Sequence, residues 1–356
     1  MTAKDKFLIN KHKLHWHLDR VSDWNKGKKI APLYIDMGIT QTCNIRCQYC
    51  YYATPENRTT KIITTENLKR FMKDCADIGV KGIGFLGDGE PGVHPGCYDA
   101  VIAGAESGID MCISTNGTVM PEKNFVKFLD SLTYIRFNIS AANAKTYNKV
   151  MGTSPKMFNL VKKNILRCVE AKKKHKLKTT IGIQMVLVED CSKDIVDYAK
   201  MGKELGIDYT MIKQCSEHGI LKHDIIPEDY NIYEKLFLEA EKYADENYSV
   251  YIKRTKMNNT VRKYKSCFGC NFLPQIDGAG DVYPCGNWFQ SKDFHMGNIN
   301  DQSFKDIVFS ERYAEVQKKV SQEVNVHKEC GTSCRQNEIN EFLWDLKNPP
   351  DHINFI

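Results

Sequence analysis

Six short β-rich runs alternate with amphipathic stretches through the first two-thirds of this 356-residue chain. The runs cover residues 33–37, 82–86, 110–114, 134–139, 179–187 and 208–213. Between them, stretches such as 66–78 place apolar side chains on one face at helical spacing. Repeated βα units of this kind form a parallel sheet that helices cover on both sides, so we expect an α/β protein with a full or partial barrel. The active site of such a barrel lies at the carboxyl ends of its strands.

The pattern loosens after residue 213 and becomes richer in cysteine towards the carboxyl terminus. We predict a helix at 230–246, a strand at 249–253, a hairpin at 276–283 and further helices at 303–320 and 337–346. This organisation indicates four segments: an N-terminal helical arm at 1–30, a barrel core at 31–220, a connecting helix and strand at 221–263, and a small C-terminal domain at 264–356.

The chain contains 14 cysteines, and disulfide bonds are not needed to explain them. A chain of this length buries a sizeable core without cross-links. The amino terminus has no secretory signal, and no stretch approaches the roughly 18 apolar residues of a membrane span. We therefore expect a cytoplasmic protein with no membrane contact, in which clustered thiols bind metal or perform redox chemistry. A net charge of +6 does not indicate a nucleic-acid partner.

Three cysteines, Cys43, Cys47 and Cys50, follow the first predicted strand in a Cys-x3-Cys-x2-Cys pattern. Thiolates this close in one loop can bind a single inorganic centre, and soft sulfur ligands favour an iron–sulfur cluster or zinc. A cluster with four irons and three protein thiolates keeps one iron open to a small molecule, as catalytic metal sites do. A structural zinc loop with a remote fourth ligand is the alternative reading of the same spacing.

This loop, with Tyr49 before its last cysteine and a βα series behind it, resembles the radical S-adenosylmethionine enzymes. The resemblance implies a partial (β/α)6 TIM-like barrel and a [4Fe-4S] cluster on the three cysteines. In that family the open iron binds S-adenosylmethionine, and one electron from the cluster cleaves it to methionine and a 5′-deoxyadenosyl radical. The radical then abstracts hydrogen from an unactivated C–H bond. An electron donor such as flavodoxin or ferredoxin is the implied partner.

Further positions extend the resemblance along the strand ends. The segment Gly87-Asp-Gly-Glu-Pro91 is similar to the family's Gly-Gly-Glu motif, with Asp88 in place of the first glycine, which implies that Gly89 and Glu90 contact S-adenosylmethionine. On the residues alone, the same segment is a tight turn ahead of a proline. The remaining contacts implied by the resemblance are Tyr49, Ser114, Asn116, Ser140 and Gln184.

A second group of five cysteines lies near the carboxyl terminus: Cys267, Cys270, Cys285, Cys330 and Cys334. Their spacing resembles the auxiliary-cluster domains called SPASM and Twitch, and their number suits one additional [4Fe-4S] cluster. The resemblance implies Cys267, Cys285, Cys330 and Cys334 as its ligands, and leaves Cys270 as a spare, an alternative ligand or a catalytic thiol. A zinc site of Cys267, Cys270, Cys330 and Cys334 is the structural alternative.

The end of the sixth predicted strand carries polar residues that face a substrate under the barrel rule. Lys213, Glu217 and His218 suit the hydroxyl or phosphate groups of a polar, sugar-like small molecule. The thiol of Cys215 or Cys270 is a candidate donor of a hydrogen atom to a substrate radical, although a free cysteine is more often an inert core residue.

The leading hypothesis is therefore epimerisation or dehydrogenation of a carbohydrate, aminocyclitol or nucleotide-sugar. A radical peptide- or protein-modifying enzyme is the main alternative. Such enzymes often carry an additional amino-terminal peptide-binding domain, for which the short stretch before the first predicted strand leaves no room. A non-catalytic zinc-binding interaction protein is the more remote alternative.

Overall fold

A ten-stranded sheet runs through the part of the chain that the structure describes, which is residues 11–50, 61–216, 225–257, 261–331 and 334–355 of a computed structural model. The strands are β1 Tyr34–Met37, β2 Gly82–Phe85, β3 Asp110–Thr115, β4 Leu132–Asn138, β5 Thr180–Leu187, β6 Tyr209–Gln214, β7 Ser249–Ile252, β8 Gln275–Ile276, β9 Asp281–Tyr283 and β10 Gly297–Asn298. Their order across the sheet is β10-β9-β8-β1-β2-β3-β4-β5-β6-β7. The two ends do not pair with each other, so the barrel is open, and the predicted fold class is confirmed.

Helices cover the outer face of this sheet. They are α1 Leu18–Asn25, α2 Thr65–Asp77, α3 Cys97–Glu106, α4 Phe125–Asp130, α5 Ala144–Met151, α6 Pro155–His175, α7 Ile195–Glu204, α8 Glu234–Glu241, α9 Arg254–Met257, α10 Phe304–Phe309, α11 Glu311–Gln322 and α12 Asn337–Lys347. Their amphipathic faces supply the core: on α2, Leu68, Phe71 and Met72 are buried against the sheet. Strands β1 to β7 are mutually parallel, and their apolar side chains alternate with polar ones such as Arg136 on β4 and Lys213 on β6.

Local sequence signals explain where several helices begin and end. The Thr64 hydroxyl accepts the N–H of Asn67 and starts α2, and Ser154 precedes Pro155 at the start of α6. The lysine run 172–174 lies in the last turn of α6, where cations interact favourably with the helix dipole. The prediction of one helix over 303–320 is wrong. Ser310 ends α10 and its hydroxyl caps α11 through the N–H of Tyr313, so the chain bends there.

The C-terminal segment joins the barrel through the sheet itself. Strand β8 pairs with β1 in parallel, and β9 and β10 extend the edge as antiparallel strands. The N–H of Gly38 donates to the carbonyl of Ile276 at 2.9 Å, and Phe304 and Val316 belong to the same buried cluster as the barrel core. Sheet and core are therefore continuous across residue 264. The predicted division into four segments stays a prediction.

The N-terminal helix α1 packs against the carboxyl-terminal helix α12. Val21 and Trp24 share a small apolar cluster with Phe272 and Leu343. No helix in the described ranges combines the length and apolar character that a membrane span requires.

Candidate active site

The three early cysteines lie in one loop directly after β1. Cys43, Cys47 and Cys50 form no disulfide bond with any described residue, and all three are partly exposed. Burial raises the pKa of Cys47 well above its ordinary value, and the thiols of Cys50 and Cys43 raise it further. The structure thus brings the three thiols within electrostatic reach of one another.

Helix α5 holds this cysteine loop in place. The N–H of Gln48 donates to the carbonyl of Val150 at 2.9 Å, and that of Arg46 donates to the carbonyl of Met151 at 3.3 Å. The helix ends at Gly152, whose φ of 58° is left-handed, and a Cβ added there would overlap the Arg46 carbonyl. Glycine meets both demands without steric cost, so the end of α5 fixes where the loop runs.

Tyr49 connects the cysteine loop to the ends of β4 and β5. Its hydroxyl accepts a hydrogen bond from Ser140 Oγ at 3.0 Å and donates to Met151 Sδ at 3.3 Å. Ser140 Oγ in turn accepts the N–H of Val186 at 3.0 Å. Burial raises the pKa of Tyr49 well above its ordinary value, so its hydroxyl keeps its proton. The structure therefore joins two of the predicted cofactor contacts, Tyr49 and Ser140, by a direct hydrogen bond.

Glu90 links the ends of β2 and β3. Its buried carboxylate accepts the Thr115 hydroxyl at 2.5 Å, the N–H of Asn116 at 2.6 Å and the N–H of Gly92 at 2.9 Å. Burial raises the pKa of Glu90, and these donors oppose that shift because they stabilise the charged form. The carboxylate thus fixes the backbone of two strand ends relative to each other.

Gly89 lies in the loop after β2, where this loop contacts the segment that immediately precedes Cys43. The next N–H, that of Glu90, donates to the Thr42 carbonyl at 2.9 Å. A Cβ added at Gly89 would overlap the carbonyl oxygens of Thr40 and Thr42. A side chain at this position would therefore push the two loops apart.

Hydrogen bonds connect the polar side chains predicted at the ends of β3, β4 and β5. Ser114 Oγ donates to Asn138 Oδ1 at 3.2 Å, and Gln184 Nε2 donates to the same oxygen at 3.1 Å. Asn116 Nδ2 donates to Asn44 Oδ1 at 2.8 Å, and Asn44 follows Cys43 in the chain. The predicted contacts Ser114, Asn116 and Gln184 thus form one polar surface beside the cysteine loop.

Three charged residues at the barrel were not predicted from the sequence, namely Arg136 and Asp36 on its strands and the more exposed Arg335. Arg136, on β4, donates from Nε to Ser114 Oγ at 3.2 Å. Asp36, on β1, is buried and forms an ion pair with Arg335, which follows Cys334. The alternation of side chains along β4 predicts the inward direction of Arg136 once Asn138 is placed. For Arg335 there is no comparable signal, because it lies in a loop remote in sequence.

The candidate donor Cys215 is buried just after β6. Its N–H donates to the Tyr230 hydroxyl at 3.0 Å, and that hydroxyl donates to the Leu187 carbonyl at 3.2 Å. Cys215 is close enough to Lys213 to affect the pKa of the lysine. Glu217 and His218, which the sequence also places at this strand end, lie outside the described residues.

All five late cysteines gather at one place under α12. Burial raises the pKa of Cys285, and the thiols of Cys267, Cys334 and Cys330 raise it further. Cys270 is buried against Cys267, and these two and Cys285 influence one another's charge. The structure thus brings Cys267, Cys285, Cys330 and Cys334 together, with Cys270 beside them.

Two buried polar residues, also absent from the sequence predictions, position the turn of Cys267. Asn340 Oδ1 accepts the N–H groups of Phe268 and Gly269, both at 2.7 Å, and its Nδ2 lies 3.3 Å from Cys267 Sγ. Gln336 Oε1 lies 3.3 Å from the same sulfur. Gln336 and Asn340 are four residues apart, so they share one face of the first turn of α12.

Comparison with known proteins decides the family. A family profile described as the radical SAM superfamily matches residues 37–200, and one described as an iron-sulfur cluster-binding domain, SPASM, matches residues 267–336. The GTP 3′,8-cyclase of Clostridium perfringens is 31% identical over 311 residues, which cover 80% of this chain and 91% of that protein.

The chain belongs to the radical SAM superfamily.

Other members of the superfamily resemble the chain over most of its length. The AdoMet-dependent heme synthase of Methanosarcina barkeri is 24% identical over 322 residues, 85% of this chain and 88% of that protein. The crystal structure of Streptococcus suis SuiB bound to S-adenosylmethionine superposes with a TM-score of 0.64 at 18% identity, covering 85% of this chain and 72% of that one. This last likeness concerns the fold.

The cofactors of this radical SAM enzyme follow from its two domains. They are S-adenosylmethionine, a [4Fe-4S] cluster and an auxiliary iron–sulfur cluster in the SPASM domain. Membership makes the chain an enzyme, which excludes the alternative of a non-catalytic zinc-binding interaction protein.

The residues present suit these groups. In the described part of the chain, no three or more His, Cys, Asp or Glu side chains converge closely enough to hold a single metal ion. An iron–sulfur cluster presents several separate iron atoms, so its thiolates need not meet at one point. Both thiol groups supply soft sulfur donors, and the close approach of backbone at Gly89 leaves no room for a side chain.

Proposed function

We propose that this radical SAM enzyme removes a hydrogen atom from a polar, sugar-like small molecule inside the barrel, and that the net reaction is epimerisation or dehydrogenation. The observation that carries the proposal is the polarity of the barrel interior next to the cysteine loop. Ser114, Arg136 and Asn138 form a hydrogen-bonded row there, and Lys213 lies on the next strand but one. Side chains of this kind recognise hydroxyl and phosphate groups.

Cys43, Cys47 and Cys50 would hold the [4Fe-4S] cluster, and Cys267, Cys285, Cys330 and Cys334 would hold the auxiliary cluster. The side chains and backbone at seven positions would line the S-adenosylmethionine site: Tyr49, Gly89, Glu90, Ser114, Asn116, Ser140 and Gln184. When bound, these groups supply a carbon-centred radical that can break an unactivated C–H bond. The chain itself contributes orientation, because Glu90 fixes two strand ends and Ser140 fixes Tyr49.

Cys215 is the better supported of the two candidate hydrogen donors. It is buried at a strand end beside Lys213, on the face of the sheet that carries Met211 and Lys213. In an epimerisation its S–H bond would break and a new C–H bond would form on the substrate. One electron from the reducing partner and one proton from solvent would then restore the thiol, so the substrate undergoes no net oxidation and the reducing partner is oxidised.

Cys270 has a different environment. Its described neighbours include Cys267, Cys285 and Tyr313, and the residue is almost completely buried among them. A position next to the proposed auxiliary ligands supports a spare or alternative ligand more than a donor that reaches the substrate.

Peptide modification remains the alternative. The names of the heme synthase and the GTP cyclase indicate small-molecule chemistry in those proteins, whereas the fold of SuiB also serves peptides, as its crystal structure with the precursor peptide SuiA records. The sugar-like substrate class therefore rests on the barrel interior alone.

The experiment tests substrate class and reaction type together. Holoenzyme prepared without oxygen is incubated in deuterated water with reductant, S-adenosylmethionine and one of UDP-glucose, glucose 6-phosphate, myo-inositol or a mixture of short peptides. We expect 5′-deoxyadenosine formation to rise with a small molecule. One solvent deuteron in the product indicates epimerisation, and a loss of two mass units indicates dehydrogenation. Stimulation by peptides alone would overturn the proposal.

The variant C215A separates the two reactions. An epimerase should lose its product while 5′-deoxyadenosine still forms, whereas a dehydrogenase should keep its product. The control is C168A, because Cys168 is a buried cysteine of α6 outside the barrel interior. An epimerised product from C215A at the wild-type rate would remove the donor role of Cys215.

A further inference from the structure

Lys213 is a partly buried cation on β6, and no hydrogen bond or ion pair joins its ammonium group to another residue that the structure describes. The groups within electrostatic reach include Arg136 from β4, Arg335 from the C-terminal segment and Lys256 from α9, all of them cations, and the thiol of Cys215. Arg335 pairs with Asp36 and Lys256 has Glu338 within reach, whereas Lys213 and Arg136 have no acidic partner among the described residues. Holding like charges together away from water costs stability, so a site of this composition favours a bound anion.

Arg136 faces the same space. The pairing of β4 with β5 and of β5 with β6 sets Arg136 opposite Gly182, and Val186 opposite Lys213. Gly182 has no side chain, and the ring of Tyr209 on β6, which is within electrostatic reach of Arg136, fills the space where a Cβ at position 182 would stand. Arg136 uses Nε for Ser114, and a guanidinium has further N–H groups with which to hold an oxyanion.

Asp36 is the acidic group that pairs with Arg335. One carboxylate oxygen, Oδ2, pairs with Arg335 and accepts Gln275 Nε2 at 3.3 Å. The other, Oδ1, is buried and has no hydrogen-bond partner among the described residues. A buried acceptor without a donor costs free energy, which a hydroxyl group on a bound molecule would recover.

We propose that Lys213 and Arg136 bind an oxyanion of the substrate, a phosphate or a carboxylate, and that Asp36 Oδ1 accepts a hydroxyl of the same molecule. This rests on the proposed function and narrows its substrate class to anionic polyols such as sugar phosphates or sugar acids. Arg335 holds Asp36 in place, so the C-terminal segment contributes to the substrate site as well as to the auxiliary cluster.

Binding of simple anions tests the proposal without knowledge of the substrate. Holoenzyme with S-adenosylmethionine is titrated with inorganic phosphate or with malonate at constant ionic strength, and the thermal unfolding midpoint is followed. We expect the unfolding midpoint of wild type to rise to a plateau as anion is added. The rise should be larger with phosphate if the site prefers a phosphate group, and larger with malonate if it prefers a carboxylate. The variants K213Q and R136Q should bind that anion at least tenfold more weakly, and R136K should recover part of the affinity.

The control is K174Q, because Lys174 is exposed near the end of α6. It should bind the anion like wild type. The proposal fails if neither anion gives a saturable response in wild type, or if K213Q binds as tightly as K174Q does. It also fails if R136Q loses affinity for S-adenosylmethionine, measured in parallel by equilibrium dialysis, instead of affinity for the anion.

These results separate this inference from the proposed function. Anion binding at Lys213 together with turnover of peptides alone would leave the anion site standing and remove the sugar-like substrate. Turnover of neutral myo-inositol without anion binding would support the sugar-like substrate and remove the anion site.

Discussion

Asp88 Oδ2 accepts a hydrogen bond from the backbone N–H of Gly278 at 2.6 Å. Asp88 belongs to the loop after β2, and Gly278 to the turn between β8 and β9. A Cβ added at Gly38 would stand 2.9 Å from the Gly278 nitrogen and 3.1 Å from Asp88 Cγ, so the backbones of Gly38 and Gly278 and the side chain of Asp88 are closely packed. The residue that departs from the Gly-Gly-Glu motif thus ties the proposed S-adenosylmethionine site to the hairpin of the C-terminal segment.

Replacement of Asp88 by alanine should destabilise the protein, because the buried N–H of Gly278 loses its acceptor. The expected loss is about 1–3 kcal/mol in the free energy of unfolding, measured by urea titration of anaerobic holoenzyme. D88N retains an acceptor oxygen and should lose less. The matched control is D110A, since Asp110 is exposed at the start of β3. Equal stability of D88A and D110A would show that the hydrogen bond between Asp88 and Gly278 does not stabilise the protein.

Replacement of Glu90 by glutamine should weaken binding of S-adenosylmethionine and lower stability by about 2 kcal/mol, because an amide cannot accept from all three donors that surround the carboxylate. Equilibrium dialysis and urea titration measure the two effects. In the control E106Q, an exposed glutamate paired with Lys127 is changed, and the expected effect is below about 0.5 kcal/mol. Unchanged affinity in E90Q would remove Glu90 from the cofactor site.

The choice of auxiliary ligands predicts different iron contents for two neighbouring cysteines. C267A should lose about half of the cluster iron after anaerobic reconstitution, because one of two clusters no longer assembles. C270A should keep nearly all of it. Iron and sulfide analysis with electron paramagnetic resonance measures both. The reverse result would make Cys270 the ligand and Cys267 the spare thiol.

The lowered pKa of Lys213 predicts that the stability of the protein increases with pH. Burial, followed by Arg136, lowers the pKa of Lys213 to about 8, against roughly 10.4 in the unfolded chain. Between these values the unfolded chain binds more protons, so the folded state gains stability as pH rises. The facing groups Arg335, Lys256 and Cys215 are unchanged in the variant K213M. The difference in stability between wild type and K213M therefore reports the titration of Lys213 alone.

The stability of wild type relative to K213M should therefore rise by about 2 kcal/mol between pH 7 and pH 9.5, measured by urea titration without added oxyanion. Phosphate or malonate at saturating concentration should suppress this rise, because a bound anion keeps Lys213 protonated. A constant difference between the two proteins across this pH range would show that Lys213 is not desolvated.

Much of the fold was predictable because its signals are local. The apolar runs of β1 to β6 and the caps at Thr64 and Ser154 depend on residues within a few positions of each other. The break at Ser310 was missed although the apolar stripe changes phase there, from Phe304, Ile307 and Val308 to Tyr313, Val316 and Val320. The attachment of β8 to β1 was also missed, since a two-residue strand carries no pattern that identifies its partner.

Some residues of the candidate site were also predictable from the sequence, and others were not. The cysteine spacings and the strand-end residues Glu90, Ser140 and Gln184 could be read from the sequence, because motif and strand order place them at one edge of a parallel sheet. Asn340 could not, since its role depends on two N–H groups some seventy residues earlier in the chain.

The sequence by itself determined the parallel βα architecture and the two groups of cysteines, because hydrophobic periodicity and thiol spacing are properties of short segments. Only the tertiary structure decided that Arg136 and Lys213 lie within electrostatic reach of each other, and that the exposed Arg335 pairs with the buried Asp36. These charges come from three strands and a distant loop, and the closure of the sheet determines which of them meet and which remain without a counter-charge.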